Sequence, residues 1–440
     1  MADNTYATFS SDVEAYIAEQ TLPLLQKQLV AYDLGTKLRL PKNRGKVYTA
    51  TRYNRVTVPI AALSEGIPPV GETMTITQVS ATAQQWGDTI TVTDVADLTI
   101  KHPVFQKAID LIRLQMVETF ERNTFNALMA GTQINYANAA GSRAALTALD
   151  VMTPHEINRM VGALTTLGAP KFNGQRETDT KLKATSPKKV TGHYVAIIHP
   201  LVEMDLRENS TIVTAWSYSD LNKLYNEEIG EWGKTRFTSS NMVPTFTGVA
   251  AVSGTAGTAG NLATGTYYVQ VTGNDTTLNY ESQIYQVSSG VSVTGSTGSI
   301  SVTVPSTAGF TYNVYIGTTT SPTHLAKSTS GPTTGPLAGM AAQIAPGTTV
   351  VLTDTGISQT PPAAPATGVT IYPSFFFGMD SYGIVALDDV KFSFLKGADK
   401  SDPLNQLRVV GWKAMYSTII MNQNFFGRTE AGSAFSATFG

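Results

Sequence analysis

From residue 248 to residue 366 the chain carries four charged side chains, Asp275, Glu281, Lys327 and Asp354, while the rest of its 440 residues carry 60. So charge-poor a stretch cannot be kept extended in water by charge, and it must bury its surface against itself. It holds 24 threonines and reads as short alternating runs: Thr266–Thr272, Ser282–Val287, Ser299–Val304, Phe310–Ile316 and Thr348–Leu352. Alternation bounded by Gly, Ser and Pro marks half-buried strands, and strands at this spacing predict a small β-sandwich. The flanks read as linkers. Ser253–Gly260 is rich in Gly, Ala and Thr, and Pro361–Pro365 is proline-rich and extended. The expectation is a β-domain, 248–366, that folds independently inside a host made of 1–247 and 367–440.

The host reads differently. A helical pattern runs from Asp12 to about Tyr32. Seven cations with no acid among them follow: Lys37, Arg39, Lys42, Arg44, Lys46, Arg52 and Arg55. They overlap an alternating strand, Val47–Ile60, and further strands over Thr73–Thr82 and Thr89–Val95 make 46–100 a long two-stranded excursion. The longest helix is predicted over 103–130. Pro103 suits its first position and Gly131 its C-terminal cap. Phe105, Ile109, Ile112, Met116 and Phe120 recur at three- and four-residue steps and form its core face. At 1.5 Å per residue it is a rod of about 40 Å, long for a globular protein. Thr153–Leu167 and Leu201–Glu208 read as helices, and Val190–His199 as a buried strand.

Chemistry is sparse. With no cysteine, disulfides, thiolate metal sites and Cys nucleophiles are excluded. A net charge of −2 excludes nucleic-acid binding driven by overall charge. Gly233-Lys234-Thr235 echoes a phosphate loop, but Glu228 stands where the pattern requires Gly. His102, His155, His193, His199 and His324 match no metal spacing. The adjacent pairs Asp388-Asp389 and Glu227-Glu228 point apart on one element, which suits a solvated or interface role over acid–base catalysis. Asn209-Ser-Thr211 and Asn274-Asp-Thr276 match the glycosylation pattern, which carries meaning only with a secretory route. A second basic stretch runs from Lys171 to Lys189. No catalytic residue, cofactor site or metal site is expected, and neither a signal peptide nor a membrane span is read.

What remains is extended parts that cannot bury their apolar faces within one subunit. The cations of 37–55 are open to three readings: a solvated hairpin face, a contact to a partner protein, or a contact to nucleic acid. On the second reading the facing anions come from another copy of the chain, the candidates being Asp110, Glu118, Glu121, Glu227, Glu228 and Glu231.

Several segments resemble the major capsid proteins of tailed bacteriophages, in particular the group typified by the coat protein of coliphage N-four. They are residues 40–46, Leu63-Ser-Glu-Gly66, Gln85-Trp-Gly-Asp88, Thr93-Asp94 with Asp97-Leu98, residues 229–242, Gly378-Met-Asp-Ser-Tyr-Gly383 and Val410-Gly-Trp-Lys413. The resemblance covers most of the host and implies an α+β Johnson fold. It assigns an N-terminal arm to 1–36, an extended hairpin loop to 37–100, and a peripheral domain with the spine helix to 101–189. An axial domain falls on 190–247 and 367–404, with a strand returning to the peripheral domain in 405–440. The insertion departs from the plain family pattern and reads as an immunoglobulin- or fibronectin-like sandwich. The implied function is non-enzymatic: self-assembly into an icosahedral shell around double-stranded DNA, with the insertion displayed outside. The implied partners are many copies of the chain in hexamers and pentamers, separate scaffolding and portal proteins, a decoration protein, and packaged DNA on the inner face. The implied location is the virion, after assembly in the bacterial cytoplasm. Two other classes stay open from the residues: a surface-binding or adhesin-type protein with a β-sandwich module, and a carbohydrate-active enzyme.

Overall fold

The computed structural model describes residues 30–41, 43, 45–54, 56, 58, 71–99, 104–172, 192–209, 213–214, 228–277, 280–334, 337–395 and 406–436. The chain divides into two compact units, Met1–Leu128 with Asp380–Asn422, and Met129–Met379 with Gln423–Gly440.

In the first unit the long helix spans Val104–Met129. Its three- and four-residue steps bring Phe105, Ile112 and Phe120 to one buried face, with Ile109 and Met116 partly buried beside them. They pack on Ile384, Val410, Trp412, Ala414 and Tyr416. The last four alternate along one strand, because a pleated strand sends every second side chain to the same face. That strand, Leu407–Ile420, lies in a four-stranded sheet in the order Thr36–Arg39, Tyr382–Leu395, Leu407–Ile420, Gln84–Thr93. The first pairing is parallel and the other two antiparallel. The sheet is apolar on its other face too, where Val385 and Ile419 meet Leu40, Ala81 and Ala83.

A two-stranded ribbon, Val47–Tyr53 with Ile76–Thr82, runs in register from Val47 opposite Thr82 to Tyr53 opposite Ile76. The expected strand Val47–Ile60 therefore ends at Tyr53 among the described residues. The excursion is also shorter at its far side than the sequence suggests. Gln84–Thr93 leaves the ribbon and pairs with Leu407–Ile420, because Ile90 and Val92 bury against the helix side of the unit. A short helix, Asp94–Thr99, follows where the sequence predicts the end of a strand. Of the helix expected over Asp12–Tyr32, only residues 30–32 fall among the described residues, where a short helix spans Ala31–Leu34.

The second unit is built around Thr370–Phe377. All of that strand except Thr370 is buried. It pairs antiparallel with Phe426–Ala431 along one edge, and with Tyr194–Ile198 and Phe246–Val249 along the other. Tyr194–Ile198 is buried throughout and continues in parallel to Thr235–Ser239. Such two-sided burial explains why both strands read as apolar runs rather than alternations. Helices Pro154–Thr166 and Pro200–Arg207 bury Ile157, Met160, Leu164, Val202 and Leu206 in the same core; the second begins at Pro200, one residue before the expected Leu201.

Residues 254–358 form an antiparallel β-domain with a core of its own, including Val269, Val271, Ile300, Val302, Val314, Ile316, Val350 and Leu352. The five predicted runs fall on strands Gly265–Asp275, Tyr280–Tyr285, Gly298–Thr303, Phe310–Gly317 and Thr349–Ser358. The linker reading is corrected. Gly254–Leu262 is a strand paired with Gly298–Thr303. Its glycines serve close packing: a Cβ on Gly254 would meet Ile300 and one on Gly257 would meet Ser299, each at 2.8 Å. The exit stretch 359–366 has no regular structure, yet it is anchored. Arg143 Nη1 donates to the Ala363 carbonyl at 3.0 Å, and Gln286 Nε2 to that of Pro365.

Candidate inter-subunit surface

The sequence singles out cations on the ribbon and its approach, and the structure separates them. Lys37 is satisfied by its own subunit: its ammonium sits 3.6 Å from the Tyr32 ring centroid and donates to the Tyr32 carbonyl. Partial burial holds its pKa down to about 8, opposed by Asp33 and Glu121. Arg39 alternates with it on the exposed side of Thr36–Arg39. Lys46 and Arg52 are exposed on the ribbon. Lys42, Arg44 and Arg55 lie outside the described residues, as does most of the stretch from Lys171 to Lys189.

The candidate anions divide as well. Asp110 is exposed on the long helix and Glu118 is half-buried. Glu121 is not available to a neighbour. It is fully buried, and its carboxylate accepts the backbone N–H groups of Val30, Ala31 and Tyr32 at 3.2, 2.8 and 3.0 Å. These are donors at the start of helix Ala31–Leu34, groups that a helix leaves unpaired. Burial raises the Glu121 pKa, against the three backbone hydrogen bonds that lower it. Glu227 lies outside the described residues. Glu228 and Glu231 lie on strand Glu228–Trp232, between Thr235–Ser239 and the short strand Val213–Thr214, with Glu231 in register with Arg236.

Sequence reasoning missed the apolar residues around the cations. Tyr53 is 69% exposed, Val58 61%, Met74 74% and Ile76 52%, all at the distal half of the ribbon or just beyond it. Asn54 closes this end, donating to Thr75 Oγ1 at 3.1 Å and accepting from Thr77 Oγ1 at 3.0 Å. Near the base the inward face packs Tyr48, Val79 and Ala81 under the sheet, while Val47 on the other face there is 50% exposed. A second exposed row, Val390, Phe392 and Phe394, alternates along Tyr382–Leu395, with the two phenyl rings stacked 6.5 Å apart. The alternation of Val56 with Val58 and of Met74 with Ile76 was the available signal; cation counting passed over it.

The other sequence features take structural roles. Gly233 and Lys234 have φ of 58° and 65° and form the two-residue turn between Glu228–Trp232 and Thr235–Ser239. That geometry belongs to a hairpin and not to a phosphate loop. His199 caps helix Pro200–Arg207: its Nδ1 accepts the Leu201 N–H at 3.2 Å, and its ring lies 4.8 Å from that of Tyr372. Among the described residues no group of three or more His, Asp or Glu side chains is placed to hold a metal ion. No helix among them is long and apolar enough to cross a membrane.

No protein-family model and no curated protein matches the sequence. Solved structures do match. The capsid of Ralstonia phage GP4 aligns over 98% of this chain and 98% of its own, at 10% identity and a TM-score of 0.52. The capsid of cyanophage Pam1 aligns over 99% and 100%, at 9% identity and a TM-score of 0.51. The fold is that of a phage capsid protein. This Johnson-type, mixed α+β likeness covers nearly all of the chain.

Proposed function

We propose that this chain is the major capsid protein of a tailed double-stranded DNA bacteriophage, and that many copies close into an icosahedral shell. The end-to-end likeness to two phage capsids carries the reading, since it spans nearly all of both chains. The exposed distal ribbon supports it: Tyr53, Val58, Met74 and Ile76 gain about 25 cal/mol for each Å² of apolar surface that a neighbouring copy covers. On this reading the coliphage N-four-type group is the finer assignment, suggested by the sequence segments alone. The ribbon is the extended loop, helix Val104–Met129 is the spine, and the residues around Thr370–Phe377 belong to the axial domain. The subunits form hexamers and pentamers in the bacterial cytoplasm around separate scaffolding and portal proteins. A decoration protein is a further partner, DNA fills the inside, and the insertion, an immunoglobulin- or fibronectin-like module, faces outward. The role is structural and not enzymatic.

Electron microscopy of the chain expressed with and without a scaffolding partner tests the proposal. Closed shells or capsomer-sized rings are the expected result. A monodisperse monomer under every condition, together with hydrolytic activity on a glycan, would favour the enzyme class instead.

A further inference from the structure

We infer that the inserted β-domain is welded to its host at a fixed angle, with the buried Arg143 guanidinium as the latch at its root. Three observations on separate elements carry this. First, the sheet is continuous across the root. Phe246–Val249 pairs antiparallel with Thr370–Phe377 on one side and parallel with Tyr280–Tyr285 of the insertion on the other. Second, the two bodies share a core. Ile284, inside the insertion, is fully buried among host residues including Phe246, Ile371 and Phe376, and Tyr280 packs beside it. Third, an ionic knot closes over the exit segment. Arg143 is bidentate on Glu430, Nε to Oε2 at 2.7 Å and Nη2 to Oε1 at 2.6 Å, and its remaining nitrogen holds the Ala363 carbonyl at 3.0 Å. Arg428 adds a second cation 3.0 Å from Glu430, and the Arg143 guanidinium lies 3.7 Å over the Phe246 ring.

Arg143 and Glu430 are 6% and 0% exposed, so solvent does not loosen the pair. The planar fork of arginine fixes direction as well as distance, which a lysine there could not do. Where the strands enter and leave, Gly248 lies so close to the carbonyls of Pro365 and Ala366 that any Cβ would collide with them. A swinging display module needs slack at its root, and here both strands of the root are hydrogen-bonded to each other: Gly248 N–H to Val369 and Gly368 N–H to Gly248, each at 2.9 Å. The inference concerns the subunit and holds whatever the subunit assembles into.

Hydrogen–deuterium exchange on the full-length chain reads the weld directly. The reporters are the amides of Gly248, Gly368 and Gln286, which donate across the root. They are expected to exchange as slowly as the amides of Thr370–Phe377. Exchange at the rate of open loops, with the Val271 and Phe376 amides still protected, would mean that the domain swings, and the inference fails. Arg143→Gln is expected to speed exchange at the three root amides at least tenfold while Val271 and Val314 stay unchanged. Unchanged root amides in that variant would remove Arg143 as the latch. Should Arg143→Gln not fold, Arg143→Lys keeps the charge but not the bidentate fork and is read the same way. A chain with 250–364 replaced by a short glycine–serine bridge is expected to be insoluble; a soluble host with native protection in Thr370–Phe377 would overturn the weld.

Discussion

Phe120 is the best-placed single residue for testing the first unit. It is 3% exposed, stacks on Tyr32 at 5.0 Å, and meets Tyr416 and Trp412 edge-on at 4.7 and 5.7 Å. Phe120→Ala removes the centre of this aromatic group, and loses transfer energy and leaves a cavity, together about 3–5 kcal/mol. The urea midpoint of the purified subunit checks it, and a change below 1 kcal/mol would show that the face is not core. His199 offers a pH test. Burial pushes its pKa down from 6.5 to about 4, so the folded state binds the proton less readily than the unfolded chain. Stability from this residue is therefore complete above pH 6.5 and is lost as the pH falls toward 4. The loss is on the order of 2 kcal/mol across that window, allowing for some solvent access. His199→Asn keeps a capping acceptor without the titration, and should flatten that part of a stability–pH curve.

At the scale of elements, the ribbon holds the sharpest contrast. Its cations repel one another, but exposed ion pairs are worth only about 0–1 kcal/mol each. Its exposed apolar residues are the larger resource. Tyr53→Ser with Ile76→Ser is expected to leave the subunit's thermal transition in place and to remove the high-mass species in light scattering. Lys46→Glu with Arg52→Glu is expected to make assembly sensitive to salt, because screening shortens to about 3 Å at 1 M. Normal assembly of the first variant would return the ribbon to a solvated face. Within the inserted domain, Glu281 plays a comparable tying role. Its Oε1 accepts from Thr272 Oγ1 at 2.8 Å, Tyr315 Oη at 2.7 Å and Asn313 Nδ2, which joins two strands to a third. Hydrogen bonds to a charged group contribute about 1.5–3 kcal/mol. Glu281→Ala should lower the domain's stability by that order, seen as faster exchange at Val271 and Val314.

At the scale of the whole molecule, a welded insertion predicts cooperativity. The insertion and the host strands around Thr370–Phe377 should lose structure in one calorimetric transition, and two separated peaks for these regions would contradict the shared core. The sequence alone settled what depends on local pattern. Thr153–Leu167 and Leu201–Glu208 placed two helices to within a residue or two, the spacing from Phe105 to Phe120 placed the face of the long helix, and five alternating runs placed five strands of the insertion. Short segments such as Gln85-Trp-Gly-Asp88 and Val410-Gly-Trp-Lys413 carry the resemblance to the fold. The tertiary structure decided what depends on partners far along the chain. Glu121 reads as a surface acid on a helix, and only the return of Val30–Tyr32, about 90 residues away in sequence, makes it a buried cap. Ser253–Gly260 reads as a linker because Gly and Ala signal slack, whereas in the strand Gly254–Leu262 those small residues let one strand approach another. Arg143, Arg428 and Glu430 carry no motif at all, since an ion pair between residues 287 apart leaves no spacing to read. Periodicity encodes which face of an element is apolar; which surface covers that face is set by long-range packing, and that information is absent from any local stretch of the chain.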